Sequence, residues 1–520
     1  MAAVDRARVR ERLVTPMPPD RLWGWIGPLL VTAVAGVLRF WDLGRPKAFI
    51  FDETYYAKDA WSLLHFGVEQ DYIKAANDKG PDPANLKILA GDLESLWTGD
   101  PSYVVHPPGG KWMIALGEQA FGFTPFGWRF VVAVTGTLAV LLVARIGRRL
   151  FQSTLLGCTA GLLLAVEGLA YVHSRTALLD PLLMFWALVA FGALVLDRDR
   201  TRRRLADQLS AAQTGRFGPG LGLRPWRLVA GVALGLACST KWSGLWFVAL
   251  FGLMTVLWDM GARRVAGVHR PWVGALVRDA APAFVSVVGL ALATYLLTWS
   301  GWFVGGDDAY LRDWAEKNPS PGLGPDALWS LWHYHREAWN FHVGLQSPHA
   351  YQSNPWGWLV LARPVSYYYE GPTLGERGCD VEQCSQAITA LGTPVIWWAS
   401  LLALPVLCYL WAARRDWRAG AILGGVAAGY LPWFFYQDRT MYSFYSVAFV
   451  PYVVLAIAMC VGLVLGGATV SSRRRQWGAA AAGAYVLLAV ANFVWLLPVL
   501  SADVIPFADW ARRMWWKSWI

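Results

Sequence analysis

Charged residues are scarce in this sequence: Asp, Glu, Lys and Arg together make up 16% of its 520 residues. A soluble domain usually carries about 25%, and the mean hydropathy is +0.35, so a soluble globular protein is excluded. Cysteine is also rare, at six residues, which excludes a secreted scaffold held together by disulfides. We find no internal repeat and no cleavable signal peptide, and we expect the first apolar run to anchor the chain in a membrane.

Hydrophobic residues, in contrast, make up 56% of the chain, and the 32 Trp and 19 Tyr favour a membrane–water boundary. A helix that crosses the hydrocarbon core needs about 20 apolar residues. Eleven stretches approach that length, and we predict an all-α polytopic membrane protein with about eleven transmembrane helices. The stretches are 23–41, 127–144, 151–172, 177–196, 227–240, 244–258, 279–299, 392–411, 420–436, 443–466 and 477–499.

The basic residues are distributed unevenly between the two sides of these predicted helices. With the N-terminus in the cytoplasm, the cytoplasmic segments contain 26 of the 46 Lys and Arg residues but only nine of the 36 acids. The positive-inside rule therefore places the N-terminus in the cytoplasm and the C-terminus outside. The net charge of +10 reflects this topology and does not indicate nucleic-acid binding.

We expect a single integral membrane catalytic domain over 1–520, beginning with a cytoplasmic basic tail at 1–22. Two long outer loops, 42–126 and 300–391, are rich in aromatic and charged residues, and long loops of this kind are often functional. Within the second loop, 307–341 predicts two short amphipathic helices separated by a Pro/Gly cluster. The Arg-rich stretch 197–226 is typical of a mobile cytoplasmic linker.

Two adjacent carboxylates, Asp52 and Glu53, follow the first predicted span among aromatic residues. Burial beside aromatics would raise a carboxylate pKa toward the range of a general base, but Asp52 is equally suited to cap a helix. In HPPGGK, His106 is a candidate to orient a substrate hydroxyl and Lys111 to bind a phosphate. A plain turn explains the same Pro and Gly residues.

Further charged residues lie near the outer ends of predicted spans. An Arg in hydrocarbon is costly, so Arg129 needs a partner or must reach the interface. Four cations gather where positive charge is otherwise scarce, which suits the anionic headgroup of a lipid: they are Arg129, Arg175, Lys241 and Arg439. Glu167 lies within an apolar run, and Asp180 either belongs to this cluster or caps the next helix.

Six cysteines divide into four within predicted spans and two in the second outer loop. Cys379 and Cys384 form a C-x4-C pair that favours a local disulfide over a metal site, because no neighbouring His completes a ligand set.

The chain resembles the bacterial, actinobacterial-type protein O-mannosyltransferases, which belong to the GT-C class of glycosyltransferases. The matching runs occur in family order and span almost the whole chain: FDETYYAKDAW, HPPGGKW, GWRFVVAVTGT, SRTALLDPLLMFW, STKWSGLWF, FHVGLQSPHAYQSNPWGW and DRTMYSFYSVAFVPY. The second outer loop, of about 90 residues, is too short for the β-trefoil domain of the eukaryotic relatives.

The resemblance implies a GT-C bundle in a bacterial plasma membrane, with the active site facing outside. The donor would be polyprenyl-phosphate mannose, and the acceptor a Ser or Thr of a secreted protein near the secretion channel. Asp52 would be the catalytic base, and Glu53 would pair with Arg129. A lipid phosphate leaves readily without an acid catalyst, so one base and several cations suffice for an inverting single displacement.

Two alternatives stay open. One is a GT-C transferase that uses another polyprenyl-phosphate sugar or a lipid or glycan acceptor. The other is a transporter of lipid-linked sugars, which would be expected to contain paired halves. No cofactor is demanded by the sequence, and a Mg²⁺ or Mn²⁺ ion that bridges phosphate and carboxylate also stays open.

Overall fold

The computed structural model describes residues 3–74, 82–211, 216–318, 324–467 and 470–520, and most of them are helical. In this part of the chain eight helices are long and apolar enough to cross a membrane. They are α2 Trp23–Phe40, α6 Pro125–Phe151, α9 Leu179–Ala211, α11 Gly244–Val265, α12 Pro271–Thr298, α16 Pro394–Ala412, α18 Val450–Leu465 with its 3₁₀ entry Ser443–Phe449, and α19 Ser472–Leu496. The prediction of a helical polytopic membrane protein is therefore confirmed.

Three of the eleven predicted spans correspond to shorter helices: α7 Thr154–Ala165, α10 Pro225–Thr240 and α17 Trp417–Tyr430. At 1.5 Å per residue, the 12 residues of α7 rise only about 18 Å, less than the thickness of a bilayer core. The total of eleven crossings therefore remains a prediction.

The other helices are short or lie in connecting segments. They are α1 Ala3–Leu13, α3 Glu53–Phe66, α4 Pro83–Ala90, α5 Gly109–Phe121, α8 Gly168–His173, α13 Ser300–Val304, α14 Trp314–Lys317, α15 Asp326–Gly344 and α20 Phe507–Arg513.

The helix α9 and the segment Ser443–Leu465 form the centre of the bundle, since 78% of each apolar window is buried inside the protein. The peripheral spans, such as α2 and α12, are 28% buried. Most of their exposed large side chains are apolar, as expected for helices that face lipid.

Two small antiparallel sheets, which the sequence analysis did not predict, lie in the connecting segments. Strands β1 Gln70–Tyr72 and β2 Trp97–Pro101 form one, and β3 Val365–Glu370, β4 Cys384–Ala390 and β5 Val504–Pro506 form the other, in the order β3-β4-β5. Strands of three to seven residues are too short for a clear alternating pattern. Both predicted outer loops therefore contain strands as well as helices.

The two helices predicted within 307–341 differ greatly in length. The first, α14, has four residues, whereas α15 has 19. The Pro/Gly cluster between them overlaps residues 319–323, which lie outside the described residues.

The predicted cytoplasmic linker 197–226 is helical over its first half, because α9 continues to Ala211. Several of its charges are paired, although Arg200, Arg203 and Arg204 are exposed. Arg224 donates to the carboxylates of Asp197 and Asp259, and Arg202 donates to the carbonyl of Leu13 at the end of α1. Charge runs indicated solvent exposure, but these ion pairs fold the basic segments onto the bundle.

Candidate active site

The adjacent residues Asp52 and Glu53 have different surroundings. Glu53 is fully buried and forms a two-pronged ion pair with Arg129, with Nε–Oε1 and Nη2–Oε2 distances of 2.8 Å. Its carboxylate also accepts hydrogen bonds from the backbone N–H groups of Ile50 and Ala177, each at 2.9 Å. This side chain therefore joins α3 to α6 and to the segment before α9, and it has no free acceptor for a substrate.

Asp52 immediately precedes α3, but its side chain makes no capping hydrogen bond. The hydroxyl of Tyr56 lies 3.4 Å from Oδ2. Burial raises the pKa of Asp52 to about 6; Lys241 opposes this shift and Asp180 adds to it. A carboxylate with few partners and a pKa near neutrality has the properties of a general base.

A cation lies beside this carboxylate. The ammonium group of Lys241, which ends α10, contacts both oxygens of Asp180 at 3.0 and 2.8 Å. The same ammonium lies 4.8 Å from the centre of the Tyr445 ring. Asp180 therefore pairs with Lys241 instead of capping α9.

A cavity of about 370 Å³ opens next to these residues. Its wall contains the cations Lys241 and Arg439, the rings of His106 and His342, and several Trp and Tyr side chains. Tyr56, the neighbour of Asp52, faces His106 at a ring-centroid distance of 6.0 Å. Lining residues from four separate regions of the sequence therefore meet at this cavity, and Asp52 lies behind Tyr56 rather than in the wall itself.

The polar groups of the cavity are only partly satisfied. Within the described residues, Nε of Arg439 and Nδ1 of His106 are buried and have no hydrogen-bond partner. Burial and the nearby cations hold the pKa of His106 well below its ordinary value, so its ring is neutral at pH 7. Buried polar atoms without partners are rare in proteins, and here they border an open cavity that can receive a ligand.

A second cavity of about 550 Å³ adjoins the first and shares Trp242, Leu245 and Trp339 with it. It lies between α10, α11, α12 and α15, and its wall is apolar apart from a few side chains, such as His335 and Arg336. The two cavities together offer a cationic end and an apolar end.

Arg175 does not face the cavity, contrary to the expectation that it binds a phosphate. Its guanidinium donates hydrogen bonds to carbonyls at the C-terminus of α2, those of Leu38, Arg39, Trp41 and Asp42. A cation at this position compensates the unpaired carbonyls and negative dipole at the helix end.

Lys111 and Glu167 also have structural partners. Lys111 is buried between Glu69 and Asp59, at 2.5 and 3.4 Å, inside the predicted first outer loop. Glu167 begins α8 and accepts hydrogen bonds from four N–H groups, those of Leu169, Ala170, Thr393 and the Trp397 indole. Neither residue belongs to the cavity wall, so the roles expected for them in substrate binding lack support.

Sequence reasoning did not single out several residues of the site. Tyr445, Trp433, Tyr436 and His342 all line the cavity. Three of them lie next to or within the run DRTMYSFY, and His342 lies within FHVGLQ, but aromatic residues are common throughout the chain.

Cys379 and Cys384 are joined by a disulfide that closes the turn between β3 and β4. No group of three or more His, Cys, Asp or Glu side chains in the described segments is placed to hold a metal ion.

Two family models match the chain. Residues 29–298 match the dolichyl-phosphate-mannose-protein mannosyltransferase family, and residues 328–519 match the C-terminal four-transmembrane region of protein O-mannosyltransferase.

Curated relatives match along nearly the full length. The polyprenol-phosphate-mannose–protein mannosyltransferase of Mycobacterium tuberculosis is 41% identical, over 96% of this chain and 93% of the relative. The protein of the same name from Corynebacterium glutamicum is 34% identical, over 97% and 96%. The Saccharomyces cerevisiae Pmt1-Pmt2 complex bound to the sugar donor shares the fold, with a TM-score of 0.71 and 15% identity over 99% of this chain and 94% of that chain. The chain therefore belongs to the protein O-mannosyltransferase family of GT-C membrane glycosyltransferases.

Proposed function

We propose that the chain transfers a mannosyl group from a polyprenyl-phosphate mannose to a Ser or Thr hydroxyl of a secreted or membrane protein. The proposal rests on the carboxylate of Asp52, which makes no helix-capping hydrogen bond and lies near a cavity lined by Lys241 and Arg439. The names of the relatives with 34–41% identity give the donor and a protein acceptor, and the matched family model adds transfer to oxygen.

In the proposed reaction, Asp52 takes the proton from the acceptor hydroxyl as its oxygen attacks the anomeric carbon. The bond between that carbon and the phosphate oxygen breaks, and the electron pair leaves with the polyprenyl phosphate. A single displacement of this kind inverts the configuration at the anomeric carbon. The raised pKa of Asp52, about 6, leaves the carboxylate mostly ionised at pH 7 yet basic enough to assist this transfer.

We assign Lys241 and Arg439 to binding the departing phosphate, because negative charge develops on its oxygens as the bond breaks. Preorganised cations in a site of low dielectric stabilise such charge strongly. The buried Nε of Arg439, which lacks a partner among the described residues, supplies a donor for a phosphate oxygen. The neutral ring of His106 is suited to position a sugar or acceptor hydroxyl.

The second, apolar cavity provides a place for the polyprenyl chain, because it continues from the cationic cavity at Trp242 and Trp339. The Arg-rich ends of the helices indicate that the site faces away from the cytoplasm. We therefore place the reaction at the outer surface of a bacterial plasma membrane, on polypeptides leaving the secretion channel.

The test is mannose transfer from radiolabelled polyprenyl-phosphate mannose to a Ser/Thr-rich peptide, by purified full-length protein. Asp52→Asn should lose transfer, whereas Asp308→Asn, a matched change at an exposed acid, should retain it. Transfer by Asp52→Asn at the wild-type rate would refute the assignment of the base. No transfer by the folded wild-type protein, with transfer from polyprenyl-phosphate glucose or to a glycan acceptor, would refute the assignment of the substrates.

A further inference from the structure

A groove of about 570 Å³ lies at the Arg-rich ends of α2 and α6, on the side of the bundle opposite Asp52. Arg21, Trp25, Arg145 and Arg148 line it, together with the Pro18–Pro19 turn that leads into α2. The proposed reaction uses none of these residues.

The positive charge of the groove is only partly neutralised. Arg148 is buried and satisfied, since it donates to Asp20 at 2.7 Å and to the Thr154 hydroxyl at 2.8 Å. Arg145 bonds to the Gly24 carbonyl, which carries no full charge. Arg21 is exposed, and the structure gives neither it nor Arg145 an ion pair within the described residues. Two guanidinium charges are therefore free to bind an anion.

An aromatic ring orients one of these cations. The guanidinium carbon of Arg145 lies 3.7 Å from the centre of the Trp25 ring, while the Trp25 side chain is itself 52% exposed. A half-exposed Trp at the end of a transmembrane helix is typical of the headgroup region of a bilayer. The groove therefore lies at the depth of lipid phosphates.

An apolar strip continues from this groove along α2 toward the middle of the membrane. Leu29, Leu30, Val34 and Val37 are each 48–64% exposed, and nothing in the described chain covers them. The strip runs parallel to the direction in which acyl chains extend from a headgroup in the adjacent leaflet.

We propose that this groove binds the phosphate of an anionic phospholipid from the leaflet on the Arg-rich side, with its acyl chains along the α2 strip. Arg21 and Arg145 bind the phosphate oxygens, and Trp25 packs against the glycerol region. A guanidinium can bind two oxygens of one phosphate, and the net positive charge of the groove favours a headgroup with a net negative charge over a zwitterionic one that carries the same phosphate. The strip explains why a lipid, rather than free phosphate, is the occupant.

A neighbouring basic groove differs in the pairing of its charges and in its lack of an aromatic ring. It is lined by Arg149, Asp199 and Arg203, and there Arg149 is paired with Asp199 at 2.7 Å. It also has no exposed Trp in its lining. This comparison distinguishes the α2–α6 groove from that neighbour.

The test uses purified full-length protein in detergent, with lipid binding followed by native mass spectrometry and thermal unfolding. Phosphatidylglycerol should bind at least tenfold more tightly than phosphatidylcholine and should raise the unfolding temperature. Arg21→Gln/Arg145→Gln should lose this preference, whereas Arg264→Gln, which removes an exposed Arg elsewhere on the same side, should keep it.

If the double variant does not fold, Arg21→Gln alone decides, because the exposed Arg21 side chain makes no contact that the fold requires; it should weaken phosphatidylglycerol binding severalfold. Equal binding of the two lipids by the wild-type protein, or an undiminished preference in the Arg21 and double variants, would overturn the proposal. Protection by inorganic phosphate equal to that by phosphatidylglycerol would also overturn it, because the site would then bind free anions. Mannose transfer is not measured, so the result is independent of the proposed reaction.

Discussion

The two ends of the helix bundle both contain buried carboxylates, but these carboxylates have different partners. At the Arg-rich end, Asp197 and Asp259 both contact Arg224, and Asp279 makes two hydrogen bonds of 2.7 and 2.8 Å with Arg263. At the other end, the Asp52 carboxylate has, among the described residues, only the Tyr56 hydroxyl as a side-chain partner, at 3.4 Å. Asp52 therefore differs from these carboxylates, and from the neighbouring Glu53, in keeping spare capacity to accept hydrogen bonds.

The difference separates two uses of a buried charge. A carboxylate that is fully paired fastens helices together, and removing its partner leaves an uncompensated buried charge. A carboxylate with spare acceptor capacity and a raised pKa can exchange a proton with a substrate. Glu53 and Asp52 show that both uses can occur at consecutive residues.

The largest expected effect is on stability, at the Arg-rich end. Arg224→Gln should lower the free energy of unfolding by about 3–5 kcal/mol, because Asp197 and Asp259 lose their shared partner. Chemical denaturation in detergent measures this loss. Arg200→Gln, a change in the same segment without an ion pair among the described residues, is the control; equal losses in both would contradict the distinction.

The next largest effect concerns Glu53, the fully hydrogen-bonded carboxylate near the candidate active site. Glu53→Ala and Arg129→Ala should each destabilise the protein by about 3 kcal/mol, because either change strands a buried charge. The double variant should lose less than the sum of the two. Strictly additive losses in a double-mutant cycle would show that the pair is not coupled.

Arg439→Gln should leave stability unchanged and raise the KM for the lipid donor by about 10–100-fold, the loss of one charge-assisted hydrogen bond. Donor-titrated transfer kinetics measure this, with Arg363→Gln as a variant outside the cavity. Arg363 binds backbone carbonyls near the C-terminus, so its variant should lose stability and keep its donor KM. An unchanged KM in Arg439→Gln would remove Arg439 from the phosphate site.

The smallest effect is the pH dependence of transfer. Because the pKa of Asp52 is raised to about 6 by burial, the basic form predominates above pH 6 and the rate should level off there. Below pH 6 the rate should fall about tenfold per unit, as protonation removes the base.

The stability of the protein should change with pH in the opposite direction to the rate. Ionisation of a carboxylate with a raised pKa lowers the free energy of unfolding as the pH rises through about 4 to 6. Asp52→Asn should remove this term without lowering the unfolding temperature, and a lower temperature would contradict it.

The sequence allowed the helical membrane fold to be predicted because hydropathy and the placement of Arg depend directly on the bilayer. The sequence also grouped Asp52, His106, Lys241 and Arg439 as candidate site residues.

It could not separate these four from Arg175 or Lys111, because a cation near the end of a span looks the same in sequence whether it faces a cavity or a row of carbonyls. The β3–β5 sheet was missed because its three strands are short and its third strand follows the second by more than 110 residues.

The contacts of Glu53 also determine when the entropy of positioning the neighbouring Asp52 is lost. Since this side chain holds Arg129 and the Ala177 N–H at once, the start of α3 is fixed to the bundle before any substrate arrives. Asp52, the proposed base, then needs little movement to reach its working position, and the entropy of placing it is lost during folding rather than in each turnover. Faster turnover at higher temperature should therefore reflect the chemical barrier and release of the lipid, rather than a search by Asp52 for its orientation.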